Sequence, residues 1–115
     1  MTLQELFEEL TTVRRYPAGE AIFSAGEPGD VMYLIQEGEV DIVSDGKALR
    51  SLGAGDMFGE MALIGDAPRS ASAVAKTDCT LLPVDERRFL FLVQQNPYFS
   101  LQVMETLASR LRTWA

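Results

Sequence analysis

Histidine is absent from the 115 residues of this chain, and cysteine occurs once. Histidine is the commonest general base and the commonest metal ligand, so its absence argues against histidine-based catalysis and against a metal-dependent barrel. A lone cysteine, Cys79, cannot form an intramolecular disulfide, and nothing in the sequence indicates an oxidising compartment. Cys79 stands in an apolar run, which favours a buried small side chain over a reactive thiol.

Basic residues and long apolar runs are also scarce. The chain has 10 Lys and Arg against 17 Asp and Glu, a net charge of −7, whereas nucleic-acid-binding surfaces are normally basic. No apolar run approaches the ~20 residues that a membrane span needs. The first ten residues are acidic and amphipathic, unlike a signal or transit peptide. We therefore expect a cytoplasmic protein with no direct contact to nucleic acid and no membrane span.

The length is sufficient for one domain with one core, and no repeat, low-complexity tract or linker divides the chain. We expect a single domain over residues 1–115. Its parts are an N-terminal helix within residues 1–11, a β-rich body over residues 12–84, and C-terminal helices over residues 85–115.

The apolar pattern supports these divisions. Residues 2–10 carry capping-box spacing and one apolar face, which predict a short helix. After residue 11, short apolar runs alternate with turn signals about every ten residues, a pattern typical of an antiparallel sandwich or barrel. Asp85 is a suitable N-cap for a helix over residues 86–95, and Asn96-Pro97 should end it before a second helix over residues 98–112. The predicted strands are residues 12–16, 20–23, 31–35, 39–43, 47–52, 72–76 and 79–84.

Residues 56–74 combine features that suit a nucleotide. Gly59 precedes a short predicted helix, whose free backbone N–H groups and positive dipole end favour a phosphate. Arg69 is the one Lys or Arg between positions 50 and 76, and a guanidinium there could grip the same anion in a bidentate manner. Glu60 would oppose an anion, but it could accept a hydrogen bond from a sugar hydroxyl. Phosphate and ribose held by one segment indicate a nucleotide.

Each of these residues also has an ordinary interpretation. Gly59 could simply begin a helix, and Glu60 could be a first-turn carboxylate that the helix dipole favours. Arg69 could be a surface charge after the turn at Pro68.

The same segment closely resembles the phosphate-binding cassette of the cyclic nucleotide-binding domain family. The matching runs are Phe58-Gly59-Glu60-Met61-Ala62-Leu63 and Pro68-Arg69-Ser70-Ala71. The resemblance implies that Glu60 binds the ribose 2′-hydroxyl and Arg69 the cyclic phosphate, with backbone N–H groups completing the cradle. The ligand-binding residues expected from it are Phe58, Gly59, Glu60, Met61, Ala62, Arg69, Ser70 and Ala71, within a cassette over residues 56–72.

The resemblance covers roughly residues 12–112. It implies a mainly β fold, an eight-stranded antiparallel β-roll of the double-stranded β-helix or jelly-roll type. A short N-terminal helix, a cassette helix and two C-terminal helices would flank the roll, as in catabolite activator-type regulators and kinase regulatory subunits. The further matching residues are Tyr16, Gly19, Glu20, Ile22, Phe23, Gly26, Gly29, Asp30, Met32, Tyr33, Ile35, Gly38 and Val40.

These features predict a non-catalytic regulatory module. Fixed donors, one cation and one carboxylate can hold a cyclic phosphate and its ribose, but they supply no activated water for hydrolysis. No cofactor or metal is expected. The predicted ligand is cAMP or cGMP, with cAMP favoured, although Ser70 could contact either a phosphate or a guanine. By analogy, the ligand would signal by repositioning the C-terminal helices.

The partner is open at this point. Family members usually pass the signal to a DNA-binding unit, a kinase, a channel or an exchange factor, and this chain has room for none. A separate effector protein, a homodimer through the C-terminal helix, or a longer parent protein would each fit. Trp114 could stack on the base or pack on the sheet. Other functions left open are a β-roll for another anion such as a cyclic dinucleotide or organic acid, a ligand-free interaction domain, and, remotely, an enzyme of the double-stranded β-helix type.

Overall fold

The computed structural model describes residues 12–63 and 67–114, with side chains as far as Ser109. Eight strands and two helices lie within these ranges. The helix predicted over residues 2–10 lies outside the described residues. The strands are β1 (Arg14–Tyr16), β2 (Ala21–Phe23), β3 (Val31–Glu37), β4 (Val40–Ser44), β5 (Lys47–Leu52), β6 (Met57–Phe58), β7 (Ser72–Ala75) and β8 (Cys79–Asp85), and the helices are α1 (Glu86–Gln95) and α2 (Tyr98–Trp114).

The strands form two four-stranded antiparallel sheets, in the orders β1-β8-β3-β6 and β2-β7-β4-β5. The hairpin between β4 and β5 turns at Asp45-Gly46, where both residues have positive φ (52° and 77°). Such a turn matches the twist of the flanking strands, which is why an Asp-Gly pair favours it. The mainly β architecture, with eight strands in two antiparallel sheets and two C-terminal helices, confirms these parts of the predicted fold class.

Strands β3 and β8 are buried on both faces and hold the core together. Successive side chains of a strand point to opposite faces. Met32 and Leu34 accordingly pack toward the helices, whereas Tyr33 and Ile35 pack between the sheets. β8 divides its side chains in the same way, with Leu82 and Val84 on the helical side and Cys79 and Leu81 between the sheets. Two-sided burial explains why both strands read as continuous apolar runs rather than alternating ones.

Asp85 ends β8 and begins α1. Its side chain accepts a hydrogen bond from the backbone N–H of Arg88 at 2.8 Å, which confirms it as the N-cap. Leu92 of α1 and Phe99 and Val103 of α2 are buried against the first sheet. Among the described residues, neither helix is long and apolar enough to cross a membrane.

Two local elements differ from the sequence prediction. β6 is not among the strands that the apolar pattern predicts, but Met57 and Phe58 pair with Leu34 and Tyr33 of β3. The predicted cassette helix is a single 3₁₀ turn, Glu60–Leu63, in which the Ala62 N–H donates to the Gly59 carbonyl at 3.2 Å. We call this element the cassette turn. Gly59 enters it with φ of +77°, a conformation that glycine adopts without the steric cost of a side chain.

Candidate functional site

A cleft of about 240 Å³ opens between the cassette and the β4–β5 hairpin. The structure brings all the predicted ligand-binding residues to its wall, although a role in binding stays a prediction for each. Strands remote in sequence supply the rest of the lining. The lining residues are Phe23, Ile42, Leu49 and Arg50 from the strands, with residues 58–62 and 67–71 from the cassette.

Glu60 is a buried carboxylate at the start of the cassette turn. Glu60 is 8% exposed, and it is the one charged residue buried within the described part of the chain. Burying a carboxylate is costly unless donors compensate it. Burial lowers the pKa of Arg69, which also lines the cleft, and the negative charge of Glu60 partly offsets that lowering. A buried carboxylate on the wall of a cleft can accept a hydrogen bond from a ligand hydroxyl.

Arg69 lines the cleft, and groups from several segments hold its side chain. Its Nη1 donates to the Gly59 carbonyl at 3.2 Å and its Nη2 to the Val31 carbonyl at 2.7 Å. The Cζ atom lies 4.1 Å from the centroid of the Phe23 ring, a cation–π contact. The backbone of Arg69 is fixed as well, because its N–H donates to the Glu27 carbonyl and its own carbonyl accepts from Gly26, both at 2.8 Å.

Burial lowers the pKa of the Arg69 guanidinium, while charges around it act in the opposite direction. An arginine titrates so far above neutrality that it stays cationic despite this shift. The cleft therefore carries a partly desolvated positive charge inside a chain whose net charge is −7. The groups that partly offset the lowering of the Arg69 pKa are Tyr33, Asp30, Glu27 and Glu60.

The strand residues that line the cleft are not among the predicted ligand-binding residues. Phe23, Ile42, Leu49 and Arg50 belong to strands whose local pattern indicates only a β conformation, and the sheet topology alone brings them beside the cassette. Arg50 adds a second guanidinium to the lining. Leu49 and Met61, 54% and 59% exposed, give the mouth of the cleft apolar surfaces.

The remaining cassette residues differ in how deeply they are buried. Phe58 is buried at the end of β6, and Ala62 and Ala71 are partly buried. Ser70 is exposed beside Arg69, and the side chain of Trp114 lies outside the described part of the chain.

The arrangement suits binding of a compact anion with a hydroxyl and a planar group. No cluster of three or more His, Cys, Asp or Glu residues that could hold a metal occurs within residues 12–63 and 67–114. Two guanidinium groups, one buried carboxylate and apolar walls offer charge, hydrogen-bond acceptance and a surface for a planar ring.

Residues 13–96 match the family model described as cyclic nucleotide-binding domain. The chain belongs to this family. It is similar to catabolite activator-type regulators and to kinase regulatory subunits. The cAMP-dependent protein kinase regulatory subunit of Aspergillus niger is 50% identical over 66 residues, covering 56% of this chain and 16% of the relative.

Solved structures of related proteins superpose on nearly the whole chain. The catabolite activator protein of Thermus thermophilus superposes with a TM-score of 0.83 at 35% identity, covering 96% of this chain and 55% of that one. A second solved structure is described by the words "a cyclic-GMP-dependent signalling pathway regulates bacterial phytopathogenesis". It superposes with a TM-score of 0.79 at 33% identity, covering 98% of this chain and 95% of that one. The β-roll fold is therefore that of the family. The chain spans about half of the Thermus protein and a smaller part of the kinase subunit.

Proposed function

We propose that this chain is a non-catalytic regulatory domain of the cytoplasm that binds cAMP or cGMP in the cleft. One observation carries the proposal: a fixed guanidinium and a buried carboxylate, Arg69 and Glu60, line the same small cleft. The cation would bind the cyclic phosphate, and the carboxylate would accept a hydrogen bond from the ribose 2′-hydroxyl. The base would lie toward the β4–β5 hairpin, against Leu49 and Arg50.

Relatives support a cyclic nucleotide without choosing the base. The name of the Aspergillus relative refers to cAMP, whereas the description of the phytopathogenesis-related structure refers to cyclic GMP. We take cAMP as the first ligand to test and cGMP as its direct competitor. Ser70 beside Arg69 is compatible with either.

The signal would pass through the packing of the cassette turn. Leu63, at the end of that turn, packs against the hydrophobic cluster that contains Leu92, Phe99 and Val103 of the two helices. A ligand that draws the turn toward its phosphate would disturb this packing and favour another arrangement of α1 and α2. The packing of Leu63 thus provides a physical connection between the cleft and the C-terminal helices.

The helices also carry the surface through which we expect the domain to act. Several large apolar side chains of α1 and α2 are exposed, which is typical of a surface that contacts another protein. Either a second copy of this chain or a separate effector would fit. The exposed residues are Leu90, Phe91, Tyr98, Leu101 and Met104, all at least 41% exposed.

Calorimetric titration with cAMP, cGMP and 5′-AMP tests the proposal. Binding of a cyclic nucleotide, with 5′-AMP much weaker, supports it, and the stronger of the two cyclic ligands identifies the base. Absence of binding to protein whose circular dichroism and thermal transition show a folded β domain refutes it. The exposed apolar residues of the helices would then favour a second function, an interaction domain without ligand.

A further inference from the structure

The ring of Phe23 forms a platform beneath the guanidinium of Arg69. The distance from Cζ to the ring centroid is 4.1 Å, within the range of a cation–π contact. The ring itself is fixed, because its centroid lies 6.3 Å from that of Tyr33 and 5.9 Å from that of Phe58. A platform anchored in the core restricts the guanidinium plane more than a mobile surface ring would.

Gly29 leaves the room that the guanidinium occupies. A Cβ atom at this position would collide with Nε and Cζ of Arg69 and would lie 2.8 Å from Nη2. The backbone of Gly29 is outside the left-handed region, so its conformation does not require glycine. The space needed by Arg69 is therefore the reason that the structure gives for a glycine here.

The held guanidinium keeps donors for a ligand. Its two hydrogen bonds, to the Gly59 and Val31 carbonyls, use one N–H of each terminal nitrogen. Each terminal nitrogen retains a second N–H, and the buried Nε makes no hydrogen bond within the described part of the chain. Arg69 is thus fixed in place with donor capacity remaining, as preorganised anion binding requires.

We propose that Phe23 and Gly29 are positioning residues that together form a seat for the anion-binding guanidinium of Arg69. This inference rests on the proposed function, because it assigns to the seat a role in binding the cyclic phosphate. The seat fixes the guanidinium plane before the ligand arrives, so that little side-chain freedom is lost on binding.

Gly29→Ala is the sharper test, because its predicted clash is confined to the end of one flexible side chain. The added methyl group should displace the guanidinium and leave the fold intact. We expect the affinity for the preferred cyclic nucleotide to fall by about tenfold or more, a loss between that of a cation–π contact and that of a whole charged pair. Gly53→Ala is the matched control, since its Cβ would meet no atom within 4 Å and its φ is also outside the left-handed region. Equal affinity of both variants and wild type would overturn the inference.

Phe23 is tested by a pair of substitutions. Phe23→Leu removes the aromatic face and should weaken binding by about 2- to 30-fold, whereas Phe23→Tyr keeps the face and should restore most of the affinity. Ile22→Val, in the same strand, controls for general loosening of β2. If Phe23→Leu binds as tightly as wild type or more tightly, the ring does not hold Arg69 in a binding orientation.

Proton–nitrogen spectra of the Arg69 side chain separate this inference from the proposed function. In ligand-free wild type, the ring of Phe23 should shift the guanidinium resonances, and Gly29→Ala and Phe23→Leu should both abolish the shift. Wild-type protein that binds no cyclic nucleotide refutes the proposed function, and the binding role of the seat with it. Wild-type protein that binds, with affinity and spectra unaffected by Gly29→Ala, refutes the seat alone.

Discussion

Arg69→Lys separates charge from geometry at the cleft. Lysine keeps the positive charge, but its ammonium is a point charge without the planar fork of a guanidinium. In the structure the fork reaches carbonyls of two segments at once, Gly59 at 3.2 Å and Val31 at 2.7 Å, while its plane rests on Phe23. An ammonium cannot keep both carbonyls and also present two aligned donors to a phosphate.

The expected loss follows from the contacts that the ammonium gives up. One hydrogen bond to a charged group contributes about 1.5–3 kcal/mol, so Arg69→Lys should weaken cyclic nucleotide binding by about 10- to 150-fold. Arg69→Ala removes the charge as well, and we expect a loss of about 2–5 kcal/mol. The ranking of the three proteins, wild type above Lys above Ala, is the central prediction.

Calorimetric titration measures these affinities, and thermal unfolding checks that each variant is folded. Arg87→Lys is the matched control, because Arg87 is exposed on α1 and does not line the cleft. If Arg69→Lys retained wild-type affinity within a factor of about two, charge alone would explain binding and the role given to the fork would be wrong. Equal binding by Arg69→Ala would show that the ligand site lies elsewhere.

Other predictions concern the ribose, the base and the helix cap. Glu60→Gln should weaken binding of the cyclic nucleotide by about tenfold, because a charge-assisted hydrogen bond to the 2′-hydroxyl is lost, and it should weaken binding of the 2′-deoxy analogue much less. Equal losses for both ligands would show that Glu60 does not contact the ribose hydroxyl. Arg50→Gln should lower the ratio of cGMP affinity to cAMP affinity by about fivefold or more, because arginine donors match guanine O6 and N7 whereas adenine presents an amino donor. An unchanged ratio would show that Arg50 does not contact the base. Asp85→Ala should reduce the free energy of unfolding, measured by urea titration, by about 0.5–2 kcal/mol. Asp85→Asn should reduce it by less, because asparagine also caps a helix. Equal effects of the two variants would show that Asp85 does not stabilise the domain by capping.

Much of this fold is predictable because local signals agree with the topology. The Asp45-Gly46 hairpin, the Asp85 cap and the break at Asn96-Pro97 each depend on residues adjacent in sequence, and the structure has all of them. β6 was missed because a strand of two residues, Met57–Phe58, is too short to display a period. It exists because β3 offers it a partner, and sequence patterns do not report a distant partner.

The candidate site also contains some residues that the sequence indicates and others that only the fold brings together. Glu60 and Arg69 stand within one short segment, so their shared chemistry is visible in the sequence. Phe23 and Arg50 join them only after two strands fold against the cassette, and a phenylalanine or arginine in a strand pattern gives no sign of that. The resemblance of Gly29 to the family pattern indicated that a glycine belongs there, but the reason for it required the coordinates of Arg69.

The order of strands within the sheets has a consequence for how the domain forms. β7 and β8 come last among the strands yet lie inside their sheets, each between two strands that precede it. A growing or refolding chain must therefore bring residues 72–85 back between segments far earlier in sequence before either sheet closes. Folds governed by such non-local pairing typically form in milliseconds to seconds rather than microseconds. The cleft joins residues of β2 and β4 to the cassette, and β7 pairs with both of these strands, so a nucleotide bound there would stabilise the folded domain.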